Sequence, residues 1–243
     1  MSESGPGCGA WQGSELVQHF LADRQRLLPL LDVQEQLIER IFERGDRDIE
    51  RFVDLGSGDG ASTELMLRAF PEAQAVLVDY SEPMLERAGA RLGTGEGRWQ
   101  AVRGDLREPS WTAALPQGSY DAAISSFAIH HLPGERKRAL FAEVFGLLAP
   151  GAMFVNLDAV EIGPPLEGLF DEQIVANVIA VERERGGPRS DAEIEKDMLA
   201  DARDDQPSGA EEQLRWLREA GFEHVELHFK WAEAAIFGAI KPS

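Results

Sequence analysis

Glycines at positions 56, 58 and 60 follow Asp54 in the stretch RFVDLGSGDGAS and mark a loop whose backbone must come close to something. Glycine takes positive φ and carries no Cβ, so such a loop lets a ligand lie against main-chain atoms. Gly56, Gly58 and Ala61 also satisfy the G-x-G-x-x-[GA] fingerprint of dinucleotide sites, so the glycines by themselves leave a nicotinamide cofactor and other nucleoside ligands open. Asp54 narrows the choice, because a carboxylate there repels a pyrophosphate and attracts an ammonium group. The loop, with Ser57 inside it, suits a zwitterionic or cationic ligand. Asp79 in VLVDYSEPML lies about 20 residues further on, where a carboxylate accepts both hydroxyls of a ribose. An adenosine-type ligand follows, and Asp105 and Leu106 in GDL stand where its amino group and ring would be held.

Two adjacent histidines, His130 and His131 in AIHHL, are the candidates for proton transfer, since an imidazole with a pKa of roughly 6.5 suits a general base. The competing reading is that one packs and the other helps start the next helix. His224 and His228 share one face of a strand and read as structural, and His19 has nothing near it in sequence to partner it. A single cysteine, Cys8, excludes an intramolecular disulfide and a cysteine-based metal framework. No metal site is read from the sequence.

These residues need a scaffold, and the hydrophobic pattern supplies one. Short β-rich runs at RFVDL, QAVLVD, RWQAVRG, YDAAISS and GAMFVNLD alternate with helical patterns at residues 61 to 69, 82 to 92, about 109 to 115 and 135 to 148. Ser81 reads as the N-cap of the second of these helices, with Pro83 in its first turn. Upstream, a helical pattern over 14 to 45 is interrupted at Pro29, with Val33, Leu37, Ile38, Ile41 and Phe42 on one apolar face. Downstream, residues 161 to 205 hold 13 acids and 5 bases and read as two helices. The first carries Leu166, Phe170, Ile174 and Val178. The second opens with a capping box, Ser190 to Glu193, and carries Ile194 and Met198. Another capping box, Ser208 to Glu211, begins a helix closed by Gly221. FEHVELHFKW and EAAIFGAIK then form an antiparallel hairpin. The expected organisation is a flexible tail over 1–13 and a single α/β domain over 14–243, with a doubly wound sheet and a helical insertion after the fifth strand.

The ordered set VDLGSGDG, VLVDYSEPML, GDL, YDAAISSFAIHHL and LLAPGAMF, followed by the hairpin, resembles the class I S-adenosylmethionine-dependent methyltransferases over residues 30 to 240. The resemblance implies a Rossmann-like, seven-stranded sheet whose last strand is inserted antiparallel. It also implies S-adenosyl-L-methionine as cofactor. By position, Asp54 would sit near the methionine amino group, with Gly56, Ser57 and Gly58 packed against the ligand. Asp79 would take the ribose, Tyr80 would lie beside the adenine, and Asp105 with Leu106 would define the adenine pocket. Ser125, Ser126 and Phe127 would face the methionine portion and the methyl group. Arg24 or Arg26 would hold the carboxylate. LLAPGAMF has alanine where many members have a second glycine, which touches a turn and not the cofactor set.

The insertion follows the carboxyl end of a strand, where open α/β folds bind ligands, and so reads as a lid over a small-molecule acceptor. Asp158 and Glu161 would stand at its root, with Phe170, Ile174 and Trp231 as walls. SSFAIHHL and DYSEPML also resemble the wobble-uridine tRNA-modifying enzymes that use a carboxylated cofactor. Against that stands a net charge of −19, with no basic run to meet phosphates. No nucleic-acid partner is therefore expected. A non-catalytic cofactor-binding module is the reading from another class. Short, charge-flanked apolar runs argue for a cytoplasmic protein without a membrane span. Its oligomeric state is open, a homodimer included.

Overall fold

The computed structural model describes residues 23–45, 47–201 and 205–243. The expected tail, the start of the first helix, Cys8 and His19 lie outside the described residues. Two N-terminal helices, α1 (Arg24–Leu27) and α2 (Leu31–Glu43), lead into β1 (Arg51–Leu55), α3 (Ala61–Ala69), β2 (Gln74–Asp79), α4 (Glu82–Leu92), β3 (Trp99–Arg103) and β4 (Tyr120–Ser126). Then come α5 (Gly134–Leu147), β5 (Leu148–Ala159), α6 (Leu169–Glu184), α7 (Asp191–Asp201), α8 (Ala210–Ala220), β6 (Glu223–Trp231) and β7 (Ala234–Ile240). Short 3-10 turns occupy Pro109–Ala114 and Ile129–His131.

The strands form one sheet in the order β3-β2-β1-β4-β5-β7-β6. β1 to β5 are parallel, while β7 runs antiparallel between β5 and β6. This is the doubly wound, seven-stranded α/β fold expected from the sequence. The order reverses between β1 and β4, so the carboxyl ends of those strands diverge into a crevice.

Side chains that alternate along each strand feed two apolar layers, as the period of a strand requires. Val53, Val76, Val78, Ala123, Phe154 and Phe237 pack on one face with α5 and α8. Phe52, Leu77, Ile124, Val155 and Ile236 pack on the other with the N-terminal helices, α3 and α6. Both faces are covered, which is why the strands read as nearly continuous apolar runs. No helix among the described residues is long and apolar enough to cross a membrane.

Several local expectations change. Pro29 does break the N-terminal helical pattern, but Val33 is exposed and the buried stripe of α2 is Leu31, Gln34, Ile38 and Phe42. Gln34 is accepted there because its amide donates to the Pro29 carbonyl. Leu166 precedes α6 and is exposed; the buried face runs Phe170, Ile174, Val178 and Val181. β5 starts at Leu148, so the APG sequence lies inside the strand and not before it. The Ser190 to Glu193 capping box forms reciprocally. Ser208 forms none, because its hydroxyl accepts a hydrogen bond from Lys137 and α8 starts after Gly209. Ser81 holds the N-cap position of α4, yet its hydroxyl makes no cap bond.

Candidate active site

The glycine loop leaves β1 at Leu55 and enters α3 at Ala61, with Gly56, Gly58 and Gly60 all at positive φ. Gly56 and Gly58 have different reasons. A Cβ on Gly56 would stand 2.3 Å from the Ala128 Cβ, so this residue lets the β1 loop cross the end of β4. A Cβ on Gly58 would meet nothing within 4 Å, so Gly58 faces open space. Gly56→Ala combines a clash with a left-handed backbone and is expected to lower stability by at least about 2 kcal/mol. Gly58→Ala should cost only the backbone term, roughly 1 kcal/mol, while filling the cradle. Urea titration of both variants checks this, and equal losses would contradict it.

Beside the loop, Asp54 is buried. Its Oδ2 accepts the Thr63 hydroxyl at 2.7 Å, and its Oδ1 is buried without a hydrogen-bond partner. Burial pushes its pKa up to about 7; the Asp79 charge adds to this, and Thr63 and Arg24 oppose it. A buried carboxylate oxygen with no hydrogen-bond partner among the described residues suits a cationic group. Arg24 reaches across from α1 and donates to the Ser126 hydroxyl at 3.1 Å. Arg26, the other candidate, points outward and pairs with Glu184. The structure therefore brings Arg24, and not Arg26, to the crevice.

At the end of β2, the Asp79 carboxylate accepts the Gly58 N–H at 2.9 Å and the Ser81 N–H at 2.8 Å. Asp79 thus fixes the loop, and burial raises its pKa despite those bonds. Arg107 covers the Tyr80 ring at 5.3 Å and binds both oxygens of Asp105. Burial alone would raise the Asp105 pKa, but the Arg107 bonds outweigh it and hold it below the usual range. Leu106 is buried next to them. Ser125 is fully buried and donates its hydroxyl to the Leu55 carbonyl at 2.8 Å, which ties β4 to β1.

Further along the strand ends, His130 Nδ1 lies 2.6 Å from Asp158 Oδ1. Burial lowers the His130 pKa, but Asp158 outweighs it and the net direction is upward. His131 stands next to it, with ring centroids 4.0 Å apart. Asp171, at the start of α6, is pushed up by burial and by the charges of Asp205 and Glu233. Phe170 stacks on Phe127 and meets Trp231 edge-on. Thr63, Asp171 and Asp205 were not singled out in the sequence. Thr63 carries a weak signal, one helical turn into α3 after the glycines; the others are two acids in an acid-rich segment.

Residues 52–151 match the family described as "Methyltransferase domain". That match covers the glycine loop, Asp79, Asp105 and both histidines. Over that stretch the chain is similar to a methyltransferase domain, in agreement with the resemblance to the class I S-adenosylmethionine-dependent methyltransferases. A trans-aconitate 2-methyltransferase from Streptomyces avermitilis is 36% identical over 58% of the chain and 48% of its own length. The chain thus spans about half the length of the curated relatives that it matches at this level. A carboxy-S-adenosyl-L-methionine synthase from Klebsiella pneumoniae is 27% identical over 96% of the chain and 90% of its own length. Among solved structures, an O-methyltransferase family protein from Burkholderia thailandensis has the same fold, with a TM-score of 0.66 at 14% identity over 93% of this chain and 60% of that one. The methyltransferase cofactor is S-adenosylmethionine, and the unpartnered Asp54 oxygen beside an uncrowded Gly58 fits its amino group.

Proposed function

We propose that the chain transfers the methyl group of S-adenosylmethionine to a small, neutral or cationic acceptor held between the ends of β4 and β5 and helix α6. The observation that carries this reading is the unpartnered Oδ1 of buried Asp54 beside the open face of Gly58. In this reading Asp54 binds the ammonium group and Arg24 the carboxylate. Asp79 accepts the ribose hydroxyls on lone pairs left over from its two backbone bonds, since a carboxylate offers about four acceptor positions. Tyr80, Asp105 and Leu106 hold the adenine. The bound cofactor supplies an electrophilic methyl group on a sulfonium.

Displacement at that carbon is accelerated chiefly by alignment and exclusion of water. Phe127, Phe170 and Trp231 supply the apolar wall, with α6 and α7 as the cover. Where the acceptor must lose a proton, His130 is the group to take it, with Asp158 fixing the ring and stabilising the imidazolium. Asp158, Asp171, Asp205 and Glu233 gather near this end of the crevice. Their charges disfavour a carboxylate or polyphosphate acceptor, and with the overall charge of −19 they disfavour tRNA.

Calorimetry with S-adenosylmethionine and its demethylated product should show binding that Asp79→Ala weakens by at least about 1 kcal/mol. Equal affinity in the variant, or tight binding of NAD instead, would overturn the cofactor reading. A turnover assay across hydroxyl and amine acceptors separates an enzyme from a binding module. Filter binding of bulk tRNA at low salt tests the acceptor class: micromolar affinity that falls steeply with salt, together with methyl transfer to that RNA, would replace the small-molecule reading.

A further inference from the structure

Three nitrogen and oxygen donors converge at the acceptor end of the crevice. Asp205 Oδ1 lies 2.7 Å from His131 Nδ1 and 3.6 Å from His130 Nε2. Neither contact has hydrogen-bond geometry, for Asp205 Oδ1 is buried without a hydrogen-bond partner among the described residues. One donor atom from each of the three residues can be chosen so that all lie within 4.8 Å of one another. In a tetrahedral shell with donors about 2.1 Å from the ion, pairs stand about 3.4 Å apart, so the 3.6 Å pair is already close to that spacing and the 2.7 Å pair must open by about 0.7 Å.

We propose that His130, His131 and Asp205 form a binding site for a first-row divalent cation such as Zn²⁺ or Co²⁺. The surroundings of His130 argue for this independently of the distances. Its Nδ1 is committed to Asp158 Oδ1 at 2.6 Å, which leaves Nε2 as the lone-pair nitrogen. A carboxylate behind the remote ring nitrogen is the arrangement that orients ligating imidazoles and raises their basicity. Asp158 is itself held by the Ala159 N–H at 3.0 Å and the Asn156 amide at 3.3 Å, so the orientation is passed on from β5.

The identity of the ion follows from the donors. Two imidazoles and one carboxylate suit zinc and its neighbours, whereas magnesium and calcium take oxygen donors. Charge agrees: Asp158, Asp171 and Asp205 surround the imidazoles. Lys137 opposes them, but its ammonium is engaged by the Gln206 carbonyl and by the Ser208 hydroxyl at 3.0 Å, and its pKa is lowered chiefly by burial. His130 is nearly buried, while His131 and Asp205 are partly open. Three protein ligands leave the remaining coordination positions toward the crevice, where an acceptor oxygen or nitrogen could complete the shell. A cation there occupies His130 Nε2, so with it bound the acceptor's proton loss is promoted by the ion and not by the imidazole.

The probe is Co²⁺ added to the purified full chain after EDTA treatment, followed by visible absorption and by calorimetry, with no methyl donor present. The expected result is one equivalent bound with d–d bands, affinity lowered at least tenfold by His131→Ala and by Asp205→Ala, and Mg²⁺ failing to compete. Asp158→Asn should weaken binding by about 10- to 100-fold. His228→Ala, on the far strand β6, should leave it unchanged. Because His131 and Asp205 are partly exposed, their variants should keep the wild-type circular dichroism. No binding at millimolar Co²⁺, or binding indifferent to both variants, would overturn the site. Failure of the cofactor reading would leave these measurements untouched.

Discussion

Asp54→Asn is expected to stabilise the protein without ligand at pH 8 and to cost it the cofactor. In the folded chain the Asp54 pKa is pushed up from 3.8 to about 7, chiefly by burial. A carboxyl whose pKa is higher in the folded state binds a proton between those values that the unfolded chain has already lost. Stability from this group is therefore present below pH 4, falls as pH rises toward 7, and stays low above it. The cost is a few kcal/mol, since each pH unit of such a difference is worth about 1.4 kcal/mol. Asparagine carries no charge and can still accept the Thr63 hydroxyl. Its amide nitrogen takes the place of the unpartnered oxygen, which returns about 1 kcal/mol or more of the gain. Urea midpoints should thus favour the variant at pH 8 and lose that advantage near pH 5. Binding of S-adenosylmethionine should drop on the order of 100-fold, as expected when a charge-assisted bond is lost. Wild-type affinity should also weaken below about pH 7, where Asp54 is protonated, while the variant stays flat. A variant destabilised equally at both pH values, with unchanged affinity, would contradict the argument.

The second large effect is expected from Phe170→Ala. This ring is nearly buried, lies 5.9 Å from Phe127 with planes 13° apart, and meets Trp231 at 6.2 Å. Deleting a packed phenylalanine costs roughly 3 to 5 kcal/mol when the site cannot collapse. Phe127 has limited room to follow, since its backbone is held at φ 49° at the end of β4. If α6 and α7 form a cover that opens by itself, the loss appears locally. Hydrogen exchange over residues 169–184 should accelerate more than exchange in β1, β4 and β5, and ligand should slow it. A uniform acceleration across the sheet would mean that the insertion is a rigid part of the core.

The central sheet was legible because its strands are covered on both faces. RFVDL, QAVLVD and YDAAISS carry apolar residues at 11 of their 18 positions, bounded by polar residues, and the structure keeps those bounds. Gly56 and Gly58 were equally legible, although one serves packing against Ala128 and the other faces open space. That division depends on a neighbour 72 positions away, taking residue 128 from residue 56, and no local pattern carries it. Arg24 and Arg26 could not be told apart from spacing alone, because α1 has four residues and α6 decides which side chain faces out. Ser208 looked like a helix cap until Lys137, distant in sequence, took its hydroxyl. Asp205 resembled every other acid in its segment. Its position next to the histidines exists only once the stretch before α8 folds back, with the Gln206 N–H on the His130 carbonyl.

The short helix that carries Arg24 is also the strip to which α6 is fastened. Asn177 donates to the Leu27 carbonyl at 2.9 Å, Arg185 pairs with Asp23 at 2.6 Å, and Arg26 pairs with Glu184. The α1 backbone that carries Arg24 cannot leave the crevice without breaking these ties. In steady-state terms the expected consequence is an ordered reaction, with the methyl donor entering first and settling the strip before the acceptor. The spent donor should then leave last, inhibiting competitively against fresh donor and non-competitively against acceptor.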